Sequence, residues 1–597
     1  MNAATILAVA ICIFFLGYRF YSKFIANKIL RIDPSRTTPA VQVNDGKDYI
    51  PTKRSVVFFY HYATIAGAGV LIGPTLAVEY GWLPCIIWIL AATCLAGGVH
   101  DLVIMFASVR HGGKSVGEIA RKELGRIGGS AVMIGILFLA ATCIAGLGLG
   151  VVTALENNPW GAFSAIVTIP IALFVGIYMR HIRPGKVAEA SLLGVGLILA
   201  FFLIGSLIPE SSLVTYFTLT KEQLTILIGL YAFIAAILPT DLLLVPRDYL
   251  SAYIKAGVIA LLVVGVFLVH PDFNMPPVTQ YIQGGGPVVP GALWPFLFII
   301  ITCGAISGWH SLCCSGVTPK LVRNERDIRP IAYGGWLLES LCAVVALSLA
   351  AIMIPGDYFA INASPTAYAQ TGLTPVLLPE ISWSVGLDLQ ARTGGIVSFA
   401  VGMTQVFSKI LGGKEAMALW YQFSILFLAI FTMAIMDHGT RMSRFFFQET
   451  FSWAHKSSNP TNRLPGAVLA AGISALFWMY LLYTGEIGVI WPIFGICNIL
   501  LASIGLVIGT SFIMKRTKPI YGLVTFWPVF IFATAATYGA FLKIINELIP
   551  AGTLTGAVQA SILIIVTVLV LLVLIEFLKQ TVELHKKKNV VSQKGPL

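Results

Sequence analysis

Several ionisable side chains lie inside stretches that are otherwise apolar enough to cross a membrane. His100 and Asp101 follow a pair of glycines in one stretch, and Asp241 lies between two prolines in another. A charge in hydrocarbon is costly, so such residues indicate an ion or substrate pathway. A carboxyl group in a low dielectric holds its proton more tightly, which suits a proton carrier. The pattern predicts proton coupling through His100, Asp101 and Asp241; the alternatives are a structural Asp101 paired with an arginine and an Asp241 that caps a helix.

Two apolar stretches are interrupted near their centres by small residues. Residues 58–75 read FFYHYATIAGAGVLIGPT and contain His61, and residues 296–320 read FLFIIITCGAISGWHSLCCSGVTPK and contain His310. Backbone groups freed from a helix have no partner in hydrocarbon, so a broken helix survives only where it lines a cavity or packs against protein. Breaks of this kind are the best sequence indication of a transporter binding site.

A broken helix also has a chemical use. The free N–H groups at a half-helix start favour an anion, and the free carbonyls at a half-helix end favour a cation. We therefore expect a substrate that carries a carboxylate. The predicted substrate-binding residues are Gly67, Gly69, Ser307, Gly308, Trp309 and His310. For both histidines, a buried imidazole that donates to a backbone carbonyl is the alternative.

Two further motifs combine acids with arginines. Residues 246–251 read PRDYLS, and residues 437–444 read DHGTRMSR. We predict an inner gate of ion pairs formed by Arg247, Asp248, Asp437 and Arg441, which opens towards the cell interior; the alternative is that these cations only anchor the topology. Glu339 also lies near the start of an apolar span, with no role predicted for it.

The composition sets the class of protein. Of the 597 residues, 57% are hydrophobic and 11% are charged, whereas soluble domains are about a quarter charged. The sequence predicts an all-α polytopic membrane protein with about fifteen spans, each near the length needed to cross a bilayer. These spans include Val56–Val78, Leu224–Val245 and Leu293–Val317.

The charges and cysteines exclude other classes. The net charge of +12 comes from short loops between spans, which argues against nucleic-acid binding. The nine cysteines lie in or beside apolar runs without metal-ligand spacing, so we predict no metal site. Gly112-Gly113-Lys114-Ser115 lacks the spacing of a phosphate-binding loop, and no hydrolase motif occurs, so neither an enzyme nor a cofactor is predicted.

The distribution of lysine and arginine predicts the topology. It places the amino terminus outside, the loop 356–392 outside and the basic carboxyl-terminal tail in the cytoplasm. The apolar run 394–411 is ambiguous. If it crossed, the basic loops that follow would lie outside, so we predict that it is re-entrant or lies at the outer surface.

The domain organisation follows from these assignments. We predict a peripheral span (1–22), a cytoplasmic linker (23–55), a first transporter repeat with accessory spans (56–292), a second repeat (293–545) and a final span with a basic tail (546–597). The two broken stretches run in opposite directions, as in an inverted-repeat transporter.

Four motifs in order carry a family resemblance. They are His100-Asp101 with SVRHGGKSVGEIA at 108–120, PRDYLS at 246–251, SGWHSLCCSG at 307–316 and DHGTRMSR at 437–444. With these motifs the chain resembles, over nearly its whole length, the carbon starvation protein A family of peptide and pyruvate transporters.

The resemblance implies an importer in the bacterial cytoplasmic membrane that brings in small peptides or pyruvate with protons when preferred carbon is scarce. It also implies the five-plus-five inverted repeat of the amino acid–polyamine–cation superfamily. The broken stretches begin spans about seven apart, so either two spans are inserted into the first repeat or the repeats pair differently. The alternative functions are a metal-ion or other cation transporter or channel, and a sensor on the same scaffold.

Overall fold

A computed structural model describes residues 1–46, 48–183, 186–238, 243–455 and 464–593. This part of the chain is helical, with three isolated bridges and no strand. Twelve single helices are long and apolar enough to cross a membrane, and a bent helix pair adds a thirteenth span. The prediction of an all-α polytopic membrane protein is confirmed.

The helices that matter for the site are labelled in chain order. They are α1 (Ala3–Ile29), α2 (Arg54–Ile65), α3 (Gly69–Tyr80), α4 (Trp82–Arg110), α5 (Val116–Leu155), α6 (Pro159–Ile182), α7 (Ala188–Gly205), α8 (Lys221–Ile237), α9 (Pro246–Val269), α10 (Leu293–Ile300), α11 (Thr302–Ala305), α12 (Trp309–Cys313), α13 (Glu325–Ala351), α14 (Pro355–Asn362), α15 (Pro365–Thr371), α16 (Leu378–Val385), α17 (Ile396–Ile410), α18 (Gly413–Thr450), α19 (Pro465–Thr484), α20 (Ile487–Arg516), α21 (Pro519–Leu548) and α22 (Leu554–Glu583).

Two of the about fifteen predicted spans are not single long helices in the part of the chain that the structure describes. The predicted span Leu224–Val245 corresponds to α8, which has only 17 residues. The predicted span Leu293–Val317 is divided among α10, α11 and α12. The sequence thus located both segments, and the break predicted within residues 296–320 separates α10, α11 and α12.

The two broken helices lie side by side and run in opposite directions. The α2–α3 pair is bent by 52° at residues 66–68. The start of α3 packs closely on α11. A Cβ added to Gly69 would lie only 2.7 Å from the Cys303 sulfur. The end of α2 contacts α12, where the Trp309 indole donates to the Thr64 carbonyl at 3.3 Å. The two breaks therefore meet in the interior of the protein.

The helices around the breaks pack reciprocally, as an inverted repeat requires. Helix α13 packs on α2 and α3, and α4 packs on α11 and α12. Helix α9 packs on α2 and α18, and α20 packs on the second broken helix and α5. Helix α6 contacts α18, and the equivalent contact in the other direction is that of α19 with α5. From these contacts we propose that one repeat is α2–α6 with α9 and that the other is α10–α13 with α18–α20.

This pairing leaves α7 and α8 between α6 and α9. Two inserted spans in the first repeat account for the spacing of seven. The buried centre is α20, whose most apolar window is 100% buried, whereas the corresponding windows of α7 and α22 are 33% buried. The inserted helix α7 and the last helix α22 are thus peripheral.

The helix ends form two faces, which we name by their contents. At the amino-terminal face, Ala3 donates to the Pro271 carbonyl and the Glu79 carboxylate accepts from Val288 N–H at 2.7 Å. At the opposite, basic face, Arg110 pairs with Glu325 at 2.9 Å. The chain alternates between the two faces along the predicted order of spans.

The predicted loop 356–392 contains α15 and α16 and most of α14, and it lies on the amino-terminal face. The Tyr358 hydroxyl donates to the Leu76 carbonyl at 2.8 Å, close to the end of α3. Both ends of the following helix α17 contact this loop: Gly395 N–H donates to Asn362 at 3.2 Å, and Lys414 pairs with Glu380. Helix α17 has 15 residues and is thus about 22 Å long, shorter than the apolar thickness of a bilayer.

Candidate functional site

A small cavity lies where the two broken helices meet. Its volume, about 10 Å³, has the room of one water molecule. The lining residues are Ile65, Gly67, Gly69, Cys143, Leu147, Cys303, Ser307, Trp309, Glu339 and Ile435. Four of the six predicted substrate-binding residues therefore line one cavity, and the protein is closed around it.

Close approach explains the glycines at the breaks. A Cβ on Gly67 would lie 2.7 Å from Ile435, and a Cβ on Gly308 would lie 2.3 Å from the carbonyl oxygen of Asn498. Real Cβ atoms do not tolerate such contacts, and a backbone carbonyl cannot move aside as a side chain can. Gly308 therefore does not line the cavity; it lets the second broken helix pack against α20.

Asn498 of α20 supports the second break. Its side-chain oxygen accepts from Trp309 N–H at 3.1 Å, which is a free N–H at the start of α12. Its amide nitrogen donates to the Thr302 hydroxyl at 3.2 Å. Asn498 is not among the predicted site residues, although an amide within a long apolar span is a signal that the sequence contains.

His310 does not line the cavity, and its ring lies in a buried group of polar and ionisable side chains. Its Nδ1 lies 2.7 Å from Asp101 Oδ2, and its Nε2 lies 3.0 Å from Glu339 Oε2. His100 Nδ1 lies 2.8 Å from Asp101 Oδ1, and His100 Nε2 lies 2.8 Å from the Ser311 hydroxyl. All five side chains are buried. We call His100, Asp101, His310, Ser311 and Glu339 the His–Asp network.

The network reaches the cavity through one member. Glu339 both lines the cavity and contacts His310, so a proton taken up at Glu339 would lie about 3.0 Å from the imidazole Nε2. No role was predicted for Glu339, because its partner His310 lies on another helix. The structure thus joins the predicted residues His100, Asp101 and His310, while Asp241 lies outside the described residues.

A buried lysine holds the end of the first half-helix. Lys255 of α9 is 0% exposed, and its ammonium donates to the Ala63 carbonyl at 3.1 Å and the Ala66 carbonyl at 2.6 Å. The same ammonium lies 4.6 Å from the centre of the Phe431 ring. These carbonyls are the free acceptors predicted to attract a cation, and a side chain of the protein occupies them.

The predicted inner-gate residues pair between helices rather than within one turn. Arg247 Nη1 of α9 lies 2.6 Å from Asp437 Oδ2 of α18, and Tyr231 donates to the same oxygen at 2.7 Å. Asp248 pairs with His438 at 3.2 Å. We call these two pairs the α9–α18 latch. Arg441 donates instead to the Leu238 carbonyl at 2.7 Å, at the end of α8.

His61, the histidine of the first broken helix, contacts residues that follow α12. His61 Nδ1 lies 2.9 Å from the Thr318 hydroxyl, and its Nε2 lies 3.8 Å from the Cys314 sulfur. His61, Asp101 and Cys314 place one potential metal ligand each within 4.8 Å of one another. Both Asp101 oxygens already contact imidazoles, so internal hydrogen bonds account for this group.

Comparison with known proteins decides the family. The family described as Carbon starvation protein CstA matches residues 2–540. The chain belongs to the CstA family. The peptide transporter CstA of Bacillus subtilis is 40% identical over 98% of both chains. The peptide transporter CstA of Campylobacter jejuni is 42% identical over 91% of this chain and 80% of the relative.

A relative of the CstA family with another substrate is equally similar. The pyruvate/proton symporter BtsT of Escherichia coli is 40% identical over 92% of this chain and 82% of its own length. Among solved structures, MhsT in complex with L-phenylalanine is 13% identical and gives a TM-score of 0.40 over 89% of this chain. Relatives named for peptide transport and for pyruvate/proton symport are both 40% identical to this chain, so sequence identity does not distinguish between the two substrates.

Proposed function

We propose that this protein imports a small carboxylate-bearing nutrient, a peptide or pyruvate, together with protons. The observation that carries the proposal is the meeting of two antiparallel broken helices at a cavity that Glu339 connects to the His–Asp network. The CstA-family relatives named for peptide transport and for pyruvate/proton symport support the same function.

The substrate carboxylate binds at the breaks. Gly69 at the start of α3 lines the cavity, and the positive end of a helix favours an anion. The Trp309 N–H at the start of α12 is already bonded to Asn498. Lys255 already neutralises the opposite, carbonyl end of α2. The cavity of about 10 Å³ is too small for either substrate, so binding requires the surrounding helices to separate.

Glu339 is the residue that loads the coupled proton. The two imidazole nitrogens of His310 each face a carboxylate, so both donate only when the ring is protonated. With Asp101 and Glu339 ionised and His100 neutral, the network then carries one net negative charge. One added proton on Glu339 makes it neutral, and a low-dielectric interior favours the neutral form. Binding of proton and substrate at neighbouring positions provides the coupling.

The α9–α18 latch closes the pathway towards the cytoplasm. Arg247 and Asp437 are buried between two helices that contact the first broken helix and α5, respectively. Separation of α9 from α18 must break this pair, which makes it a gate between the closed and the inward-open states.

We propose that the basic face lies in the cytoplasm. This orientation puts the amino terminus and the loop 356–392 outside and the carboxyl-terminal tail inside, in the bacterial cytoplasmic membrane, as the distribution of cations favours. The contacts of both ends of α17 with the loop support a helix that lies at the outer face without crossing.

Uptake into proteoliposomes tests the function. Purified protein is given labelled pyruvate or a labelled tripeptide under an inward proton gradient, and again with a protonophore. We expect one substrate to accumulate only while the gradient is present, which names the substrate and the coupling ion together. Accumulation of neither, with sodium also tested, would contradict the proposal.

A further inference from the structure

A second, larger cavity lies at the basic face, away from the transport site. Its volume is about 350 Å³, within the range of small-ligand sites. It lies among the ends of α1, α4 and α20. The lining residues are Ile29, Leu30, Arg31, Arg36, Phe106, Arg110, Phe512, Ile513, Arg516 and Thr517.

Four arginines give this cavity an excess of positive charge. Glu325 holds Arg110 through two contacts of 2.9 and 3.0 Å, and Glu123 holds Arg516 at 2.9 Å. Both acids are buried. Arg36 lies 4.0 Å from Glu325 and also interacts electrostatically with the Asp33 carboxylate, and its side chain is 54% exposed. Arg31 is exposed and has no ion pair recorded with any residue that the structure describes.

The rest of the wall is apolar and continues onto the surface. Half of the lining side chains are hydrocarbon or aromatic. Next to the cavity along the chain, Phe24 of α1 is 43% exposed and Leu523 of α21 is 41% exposed. Both helices are long and apolar enough to cross a membrane, so we expect these exposed surfaces to face lipid chains. The site thus combines guanidinium groups with apolar walls at the end of membrane helices.

We propose that this cavity binds the phosphate-bearing headgroup of an anionic phospholipid. Guanidinium groups match phosphate oxygens with paired, charge-assisted hydrogen bonds. Basic pockets between membrane helices at the cytoplasmic side are suited to such headgroups. A soluble phosphate compound offers the same anion, but it has no use for the apolar half of the wall. Arg31 and Arg36 bind the phosphate, while Arg110 and Arg516 also connect it to the helix ends.

Native mass spectrometry of the delipidated full-length protein tests the proposal. The protein is mixed with cardiolipin, phosphatidylglycerol, phosphatidylcholine or ATP. We expect the two anionic lipids to bind and the other two ligands not to bind. The double variant Arg31→Gln/Arg36→Gln should bind cardiolipin roughly thirtyfold more weakly, since each cation near an anionic lipid contributes about a fivefold change in affinity.

Two matched variants separate a site from general charge. Arg183→Gln/Lys186→Gln removes the same charge from another loop and should bind cardiolipin as the unchanged protein does. Arg31→Lys/Arg36→Lys keeps the charge and should recover most of the binding. Equal loss in both glutamine variants, or binding of ATP without lipid binding, would overturn the proposal. This test measures lipid binding and not transport, so its outcome is independent of the proposed substrate.

Discussion

At the scale of single residues, His310 is the junction of the candidate site. Its ring contacts Asp101 of α4 on one side and Glu339 of α13 on the other, with all three side chains buried. Removing one partner from such a group leaves a charge without compensation, at a cost of about 3–5 kcal/mol. The network therefore holds three helices together as well as offering a place for a proton.

Asp101→Asn is expected to leave protein in the membrane and abolish concentrative uptake. The amide keeps the shape of the carboxylate but cannot accept hydrogen bonds from both imidazoles. Uptake into proteoliposomes under a proton gradient measures the effect, and substrate should only equilibrate. Asp388→Asn makes the same chemical change at an exposed loop position and should accumulate normally. Unchanged accumulation by the Asp101 variant would remove it from the coupling role.

Lys255→Met is expected to destabilise the protein. The substitution keeps a similar apolar stem but leaves the Ala63 and Ala66 carbonyls without the ammonium, at about 1–3 kcal/mol for each buried acceptor. Thermal unfolding in detergent measures the change. Lys579→Met replaces a lysine that is 62% exposed and should unfold as the unchanged protein does. Equal melting temperatures for both variants would show that the ammonium does not hold the half-helix.

At the scale of elements, the broken helices depend on their neighbours for the hydrogen bonds that each break gives up. Asn498 of α20 bonds the start of α12, and Lys255 of α9 bonds the end of α2. In the proposed repeat pairing, α9 and α20 occupy equivalent positions, as the fifth element of each repeat. Each break is therefore stabilised by one polar side chain. Asn498 accepts from an N–H group at one break, and Lys255 donates to carbonyl groups at the other.

Gly308→Ala is expected to destabilise the protein by about 1–3 kcal/mol and to reduce uptake, because the new methyl group would meet the Asn498 carbonyl. Unfolding in detergent and uptake measure the two effects. Gly196→Ala is the matched control, since nothing lies within 4 Å of the added Cβ in the middle of α7. It should be neutral or stabilising by about 0.5–1 kcal/mol. Equal behaviour of the two variants would contradict close packing at the break.

The α9–α18 latch is expected to show coupling in a double-mutant cycle. Arg247→Gln and Asp437→Asn each leave one buried charge unpaired, so each alone should lose about 3–5 kcal/mol of stability. The double variant should lose less than the sum of the two single changes. Additive losses, measured by unfolding in detergent, would show that the two side chains act independently.

At the scale of the whole molecule, the spans alternate between the amino-terminal face and the basic face. This alternation requires that α17 does not cross the membrane. The contacts of both ends of α17 with the loop 356–392 agree with that requirement. Two inserted helices, α7 and α8, then separate the fourth and fifth elements of the first repeat without disturbing the reciprocal contacts.

Cysteine labelling in whole cells tests this arrangement. The starting protein carries Cys12→Ser, since the other eight cysteines are buried. Arg392→Cys and Lys414→Cys, which flank α17, should both react with a membrane-impermeant maleimide from outside. Lys518→Cys at the basic face should react only after permeabilisation. Labelling of Arg392→Cys but not Lys414→Cys in intact cells would mean that α17 crosses.

The sequence by itself determined the class, the location of the helices and the two breaks, because these depend on local properties: apolar length, small residues and prolines. It did not determine the partners. His310 lies 209 residues from Asp101, and Arg247 lies 190 residues from Asp437. Neighbours such as Arg247 and Asp248 point to different sides of one helix, so their partners depend on which helices pack against them. Glu339, Lys255 and Asn498 acquired their roles only when the two repeats came together.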